Sequence, residues 1–350
     1  MSASMRDFLQ IDRPVFVLAP MQDVTDLPFM RVLARRGAPD WFVTEYFRVH
    51  PDSCLNRYIL RSILENETGR PIFAQMIGRD LSSLLRCAKE LEKHPIAGID
   101  LNLGCPAPIV CRKDAGGGLL RNPAYVDKLI GTLRESIQGR FTVKTRLGYV
   151  APEEFSGLLE VFKKHGIDGL TIHARTVVER YSTPVHTAFV NDAVAMMACP
   201  VIANGNVVDV ETGQNYLSET GAAGLMIGRG AIRNPWIFSQ LKAAFTHTEP
   251  PAPTYQDLWN YVNELYEEIA KETPKLVENA HVQRMKKTLA YITHGLEGDF
   301  EFEMRRAKTP ADYQRICKTH LDREGIIPAR PPLDSKLFCG FEALTKASTP

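Results

Sequence analysis

The feature that most constrains this chain is its alternation of short apolar runs with amphipathic stretches. The runs fall at residues 15–19, 42–46, 72–76, 99–103, 142–146, 169–173, 201–203 and 224–227. Between them, residues 81–93, 125–137, 152–165 and 210–220 carry apolar side chains at helical spacing. Eight strands alternating with helices over roughly 230 residues predict an α/β fold, a (β/α)8 TIM barrel spanning residues 10–245. An open doubly wound sheet is the alternative, but no GxGxxG follows the first run. Around residues 247–255 the composition turns proline-rich, which reads as a linker. Beyond it, 256–271, 278–294 and 311–323 read as helices, predicting a small all-helical domain over 256–324. A proline-rich tail, 325–350, is expected to run extended over the surface.

Barrel enzymes react at the C-terminal ends of their strands. Polar residues recur there. Ala19-Pro20-Met21 follows the first run, Gln75 ends the third, and Asn102-Leu103-Gly104-Cys105-Pro106 ends the fourth. Lys144 and Arg146 lie on the fifth, His173 and Arg175 at the sixth, Asn204-Gly205-Asn206 at the seventh, and Gly228-Arg229 at the eighth. Period-two alternation puts Asp100 and Asn102 on one face and the apolar residues of that strand on the other. The same reasoning pairs Lys144 with Arg146, and Thr171 with His173. The apolar faces should meet the outer helices and the polar faces the barrel mouth. Gly205 and Gly228 allow backbone N–H groups to approach an anion, and Arg229 adds a charged fork. Loops after the last two strands are the recurrent phosphate site of such barrels, so a phosphate-bearing cofactor is expected. Asn234-Pro235 should open the following helix.

Each of these residues alone has a plain structural reading: a packed cysteine, a surface lysine, a core histidine, two turn glycines. Their common register at seven of the eight strand ends carries the functional reading. Composition bounds it further. Residues 1–11 contain Arg6 and Asp7 and no long apolar run, so no signal peptide is expected. No uninterrupted apolar stretch reaches the ~18 residues of a membrane span. The seven cysteines form no CxxC pair, which argues for reduced thiols in a cytoplasmic protein and against a metal site. A net charge of +1 requires any nucleic-acid contact to come from local patches.

Together these segments resemble the tRNA-dihydrouridine synthases, and lean towards the bacterial C-type subfamily. The matching pieces are Leu18-Ala19-Pro20-Met21 with Thr25-Asp26, Gln75 within 73–78, Asn102 to Pro106 with Gly116-Gly117-Gly118, and Lys144-Thr145-Arg146. They continue through His173-Ala174-Arg175-Thr176, Asn204-Gly205 and Gly228-Arg229, covering roughly 13–243. Residues 284–291, with Gly295, Arg305 and Arg306, are similar to the family's helical tRNA-binding region. The resemblance implies FMN as cofactor, NADPH as electron donor, tRNA as substrate, and a monomer. It assigns Pro20, Met21, Gln22, Gln75, Lys144, His173, Asn204, Gly205, Asn206, Gly228 and Arg229 to the flavin. Asn102 and Arg175 fall to flavin or uracil, Cys105 to proton donation, and Arg284, Lys286, Lys287, Arg305 and Arg306 to RNA. An ordinary thiol, with a pKa of about 8.5, is mostly protonated at neutral pH and suits that role. Where the family carries a tryptophan after His-Ala-Arg-Thr, this chain runs to Val185-His186; Asn206 replaces an acid, and Lys287-Thr288 lacks the usual histidine. Two other readings share parts of the pattern: an FMN barrel reducing a free pyrimidine, as dihydroorotate dehydrogenases do, and a non-catalytic RNA-binding barrel.

Overall fold

The computed structural model describes residues 12–181, 183–273, 277–296, 298–333 and 335–339. All strand pairings are parallel, among β1 (Val15–Leu18), β2 (Trp41–Val43), β3 (Phe47–Arg48), β4 (Ile72–Ile77), β5 (Gly98–Leu103), β6 (Phe141–Arg146), β7 (Gly169–His173), β8 (Val201–Asn204) and β9 (Gly224–Ile227). Both β2 and β3 pair with β4, at Phe42–Ile72 and Phe47–Met76, so these two share one place in the ring. β1 closes the ring between β2 and β9, giving an eight-membered barrel. The expected single strand over 42–46 is broken. Thr44 stays tied to β4, its N–H donating to Phe73 O (2.9 Å) and its hydroxyl accepting from Gln75 N (3.0 Å). Glu45 instead turns to accept from Val24 N at 3.2 Å, a contact from outside the strand that alternation cannot reveal.

Side-chain alternation sorts as expected. Ile99, Leu101, Leu103, Val143 and Ile172 pack outward into the helical layer. The opposite face holds a separate apolar plug, including Val15, Val17, Trp41, Phe73, Ile202 and Met226. Above the plug, strand register makes a polar belt. Gln75 stands opposite Asp100, Asn102 opposite Lys144, Arg146 opposite His173, and His173 opposite Asn204.

After the helix Ile237–Thr246, the linker leads to Thr254, which caps the helix Tyr255–Glu272 through Asp257. The helices Glu278–Ile292, Phe300–Arg306 and Pro310–Leu321 follow; the third of these four is not anticipated from the sequence. Its seven residues offer too few turns for a periodic pattern. The helix expected to start at Asn234-Pro235 begins at Ile237 instead. Asn234 terminates a short helix, Arg229–Arg233, and its side chain accepts from Trp236 N at 3.3 Å. The tail is also more structured than expected. Ile327 N donates to Pro253 O (3.0 Å), Arg330 pairs with Asp209 (2.6 Å) and Glu211 (2.8 Å), and residues Lys336–Cys339 form a helical turn with Leu337 buried. Buried Ile327 and Leu337 anchor it, and a proline count does not register them. The expected extension over 340–350 and the expectations for residues 1–11 lie outside the described residues.

The C-terminal helices dock on the helix Leu27–Gly37. Along that helix, Arg31 pairs with Glu272 (2.7 Å), Arg35 with Glu264 and Glu268, and Arg36 with Glu264 (2.5 Å). At its N-terminal end the signs reverse: Asp26 pairs with Arg284, and Asp23 with Lys287 at 2.9 Å. One continuous apolar cluster runs from the barrel's outer layer into this docked region. Among the described residues no helix is long and apolar enough to cross a membrane.

Candidate active site

The C-terminal strand ends surround a cavity of about 540 Å³, within the ~300–1,000 Å³ usual for small-molecule sites. Pro20, Met21 and Gln22 line it after β1; Asn102 and Cys105 line it at β5. Lys144, His173, Asn204, Gly205, Asn206, Gly228 and Arg229 complete the circuit from β6 to β9. Gln75 and Arg175 do not line it.

The β5 loop holds Cys105 through a layered polar network. Asn102 Oδ1 accepts from the backbone N–H groups of Gly104 (3.0 Å) and Cys105 (2.9 Å). Asn102 Nδ2 donates to Gln75 Oε1 at 2.8 Å, and Gln75 Nε2 donates to Asp100 at 2.7 Å. Thr142 donates to the other Asp100 oxygen at 2.6 Å. Burial raises the Asp100 carboxyl to about 6, against the pull of Thr142, Gln75 and Lys144. Gln75 is fully buried beneath the cavity, its amide engaged by Asn102 and Asp100. Gln75 thus supports the β5 loop through Asn102. The other side of the loop rests on glycines. Gly117 N donates to Cys105 O (3.1 Å), and a Cβ on Gly117 would come within 2.9 Å of that same oxygen. Cys105 itself is left half-buried, at the cavity wall.

The other half of the cavity is cationic. Lys144 Nζ donates to Asn204 Oδ1 at 3.2 Å; burial, reinforced by Arg146, lowers its ammonium to about 8. Arg146, 2% exposed, donates to the carbonyls of Gly104 (3.0 Å), Thr176 (2.8 Å) and Arg180 (2.9 Å). Arg229 lies over the Tyr181 ring, 4.5 Å from its centroid. Burial, with Arg146, Lys144, Arg175 and Arg229 around it, holds His173 well below the ordinary imidazole range, hence neutral. Arg175 is fully buried behind the cavity, donating to Thr183 O (2.5 Å) and reaching His173 Nε2 at 3.4 Å. From there its guanidinium backs His173 at the cavity wall. A guanidinium only donates, so this contact suits the tautomer in which Nε2 accepts. The buried Nδ1 of His173 has no partner, nor has Asn206 Oδ1. Buried polar atoms are ordinarily satisfied, and these two belong to cavity-lining residues. Gly205 (φ +134°) and Asn206 (φ +53°) bend the β8 loop into the left-handed region, the backbone shape of anion-binding concavities.

A flavin mononucleotide fits this set. The cavity has the size, one wall supplies cations and a left-handed turn for a phosphate, and the unmet His173 nitrogen lies where a polar ring could meet it.

Alternation along strands does not reveal Tyr46, Tyr181, Tyr291 or Leu337, all of which line the cavity. Tyr46 follows the β2 break, Tyr181 comes from the loop after β7, and Tyr291 and Leu337 arrive from beyond the linker. Of the basic residues expected on RNA, Arg284 and Lys287 are engaged at the docking seam with Asp26 and Asp23. Lys286 donates to Arg305 O at 2.9 Å; Arg305 pairs with Glu301, and Arg306 lies over Phe302. Both arginines are exposed, on the solvent side of a helix that buries Phe300 and Met304. Where the family tryptophan is missing, His186 Nε2 meets Glu179 at 2.7 Å.

A family model described as dihydrouridine synthase matches residues 17–324. A protein of Rhodobacter capsulatus, named "Probable tRNA-dihydrouridine synthase", is 30% identical over 311 residues, covering 87% of this chain and 94% of its own length. A tRNA-dihydrouridine(16) synthase of Pseudomonas putida is 30% identical over 79% of this chain and 87% of its own. Among solved structures, an old yellow enzyme homologue from Zymomonas mobilis shares the fold at a TM-score of 0.50, with 14% identity over 68% of this chain and 90% of that one.

Proposed function

Because the chain belongs to the dihydrouridine synthase family, we propose that it reduces the C5=C6 bond of a uridine in tRNA, with FMN as resident cofactor, NADPH as reductant and Cys105 as proton donor. The observation that carries this reading is the shared cavity: a half-buried thiol on one wall faces a cationic wall with two unmet polar atoms. Arg229, Gly228, Gly205 and Asn206 would hold the phosphate, and Lys144 and His173 the ring, where a nearby cation favours the reduced, anionic state. Bound FMN supplies the hydride that one carbon of the double bond must receive. Cys105 gives its Sγ proton to the other carbon, so one hydride and one proton account for the two hydrogens added. Asn102 fixes the loop and thereby the thiol, and Arg146 ties that loop to the carbonyls of Thr176 and Arg180. A stacked uridine must leave its helix to reach this depth. Three relatives carry position 16 in their names, which makes that position of tRNA the first to map.

The deciding experiment is single-turnover mixing of prereduced enzyme with unmodified tRNA. Cys105→Ala should retain yellow colour and near-normal reduction by NADPH, while reoxidation by tRNA slows about 10²–10⁴-fold, the usual cost of losing a general acid. Normal reoxidation would assign the proton to another group. Release of FAD on denaturation, in place of FMN, would overturn the cofactor.

A further inference from the structure

One short helix, Arg229–Arg233, faces two ways. Its first residue lines the cavity at the proposed phosphate site. Its last, Arg233, is 3% exposed and points to the C-terminal region. The Arg233 guanidinium donates to His294 O (2.9 Å), Pro328 O (2.8 Å) and Ala329 O (3.4 Å). His294 lies just past the helix Glu278–Ile292, where unsatisfied carbonyls concentrate partial negative charge. The same short helix receives a second tie, from Tyr261 Oη to Ile232 O at 3.0 Å, in the helix Tyr255–Glu272. Tyr291 then returns from the helix Glu278–Ile292 to line the cavity itself. Gly295 makes the close approach possible: its φ is +76°, and a Cβ there would fall 2.7 Å from Pro332 Cδ.

We infer that Arg233 is a positioning residue that couples the cofactor-phosphate site to the helical region, so that FMN and tRNA each strengthen binding of the other. This rests on the FMN and tRNA reading above. A buried cation satisfied by carbonyls from two separate segments binds well only when both are in place. Ordering the Arg229 loop around a phosphate therefore steadies the start of the Arg229–Arg233 helix, and with it the carbonyls that Arg233 collects. Linkage requires the effect to be reciprocal and equal in size.

The test uses the full chain. The FMN dissociation constant is measured with and without unmodified tRNA, and the tRNA constant with and without FMN. The expected result is one common factor of about fivefold or more, the lower range of typical couplings. Arg233→Met should bring that factor towards one, and Arg233→Lys, which keeps a donor, should restore part of it. General destabilisation would lower both affinities and leave the factor unchanged, and that result would overturn the inference. If Arg233→Met does not fold, hydrogen exchange on the unaltered protein decides: FMN should slow exchange across 278–292, and no change there overturns the coupling. FMN and tRNA binding with a factor of one refutes the coupling alone; failure to bind FMN refutes the cofactor reading as well.

Discussion

Lys144 is the residue on which the pH behaviour of the site turns. Burial has already lowered its ammonium to about 8, so it is mostly charged at neutrality and loses its proton just above it. An anionic ligand favours the charged form and raises that value on binding. Flavin affinity is thus fully present below about 8 and declines as pH rises through it. Titrating FMN binding from about pH 7 to about pH 9.5 should show the decline, and Lys144→Met should flatten it while weakening binding by about 1.5–3 kcal/mol, the scale of a lost charged hydrogen bond. An unaltered profile in the variant would place the titrating group elsewhere. His173 cannot supply it, because its neighbours hold the imidazole neutral far below that range.

At the scale of elements, β5, β6 and β7 are legible in the sequence because both of their faces obey one rule. Ile99, Leu101 and Val143 face helices while Asp100, Asn102 and Lys144 face the barrel axis. The residues at those strand ends, Cys105, Lys144 and His173 among them, could be collected for the same reason. The break between β2 and β3 could not, since it depends on Glu45 reaching Val24 across the mouth. Tyr181, Tyr291 and Leu337 reach the cavity through loops and docking, which leave no period in the chain. Gln75 and Arg175 sit in the expected register and are fully buried behind the lining, a depth that only packing decides. The glycine run after β5 is legible as a motif, and the structure supplies its reason. Gly117→Ala would press a Cβ to within 2.6 Å of Val177 and 2.9 Å of Cys105 O. The expected outcome is a loss of about 1–3 kcal/mol in stability, typical of overpacking, with turnover reduced more than flavin content. Thermal melts and flavin absorbance, read beside activity, check this.

For the whole molecule, the proposed tRNA contact draws on charge outside the seam, where Arg284 and Lys287 are paired. Arg305 and Arg306 provide the exposed charge near the cavity-lining helix, Arg305 with 59% of its side chain accessible. Reversing both charges should raise the tRNA dissociation constant and reduce its log–log salt slope by up to about 1.8, at ~0.9 per phosphate contact, with no change in flavin content. Unaltered binding would leave them as solvated side chains. The docked helices carry one more consequence, in the order of charges along Leu27–Gly37. Acid precedes base on the barrel side, and the partners reverse that order. The surface therefore works as a keyed plug: turned end for end, Arg284 would meet Arg31 and Arg36, and Glu264 would meet Asp26. Like-charge contacts of that kind cost several kcal/mol. A barrel emerging first from synthesis would accept its later helices in one orientation and turn away the inverted one.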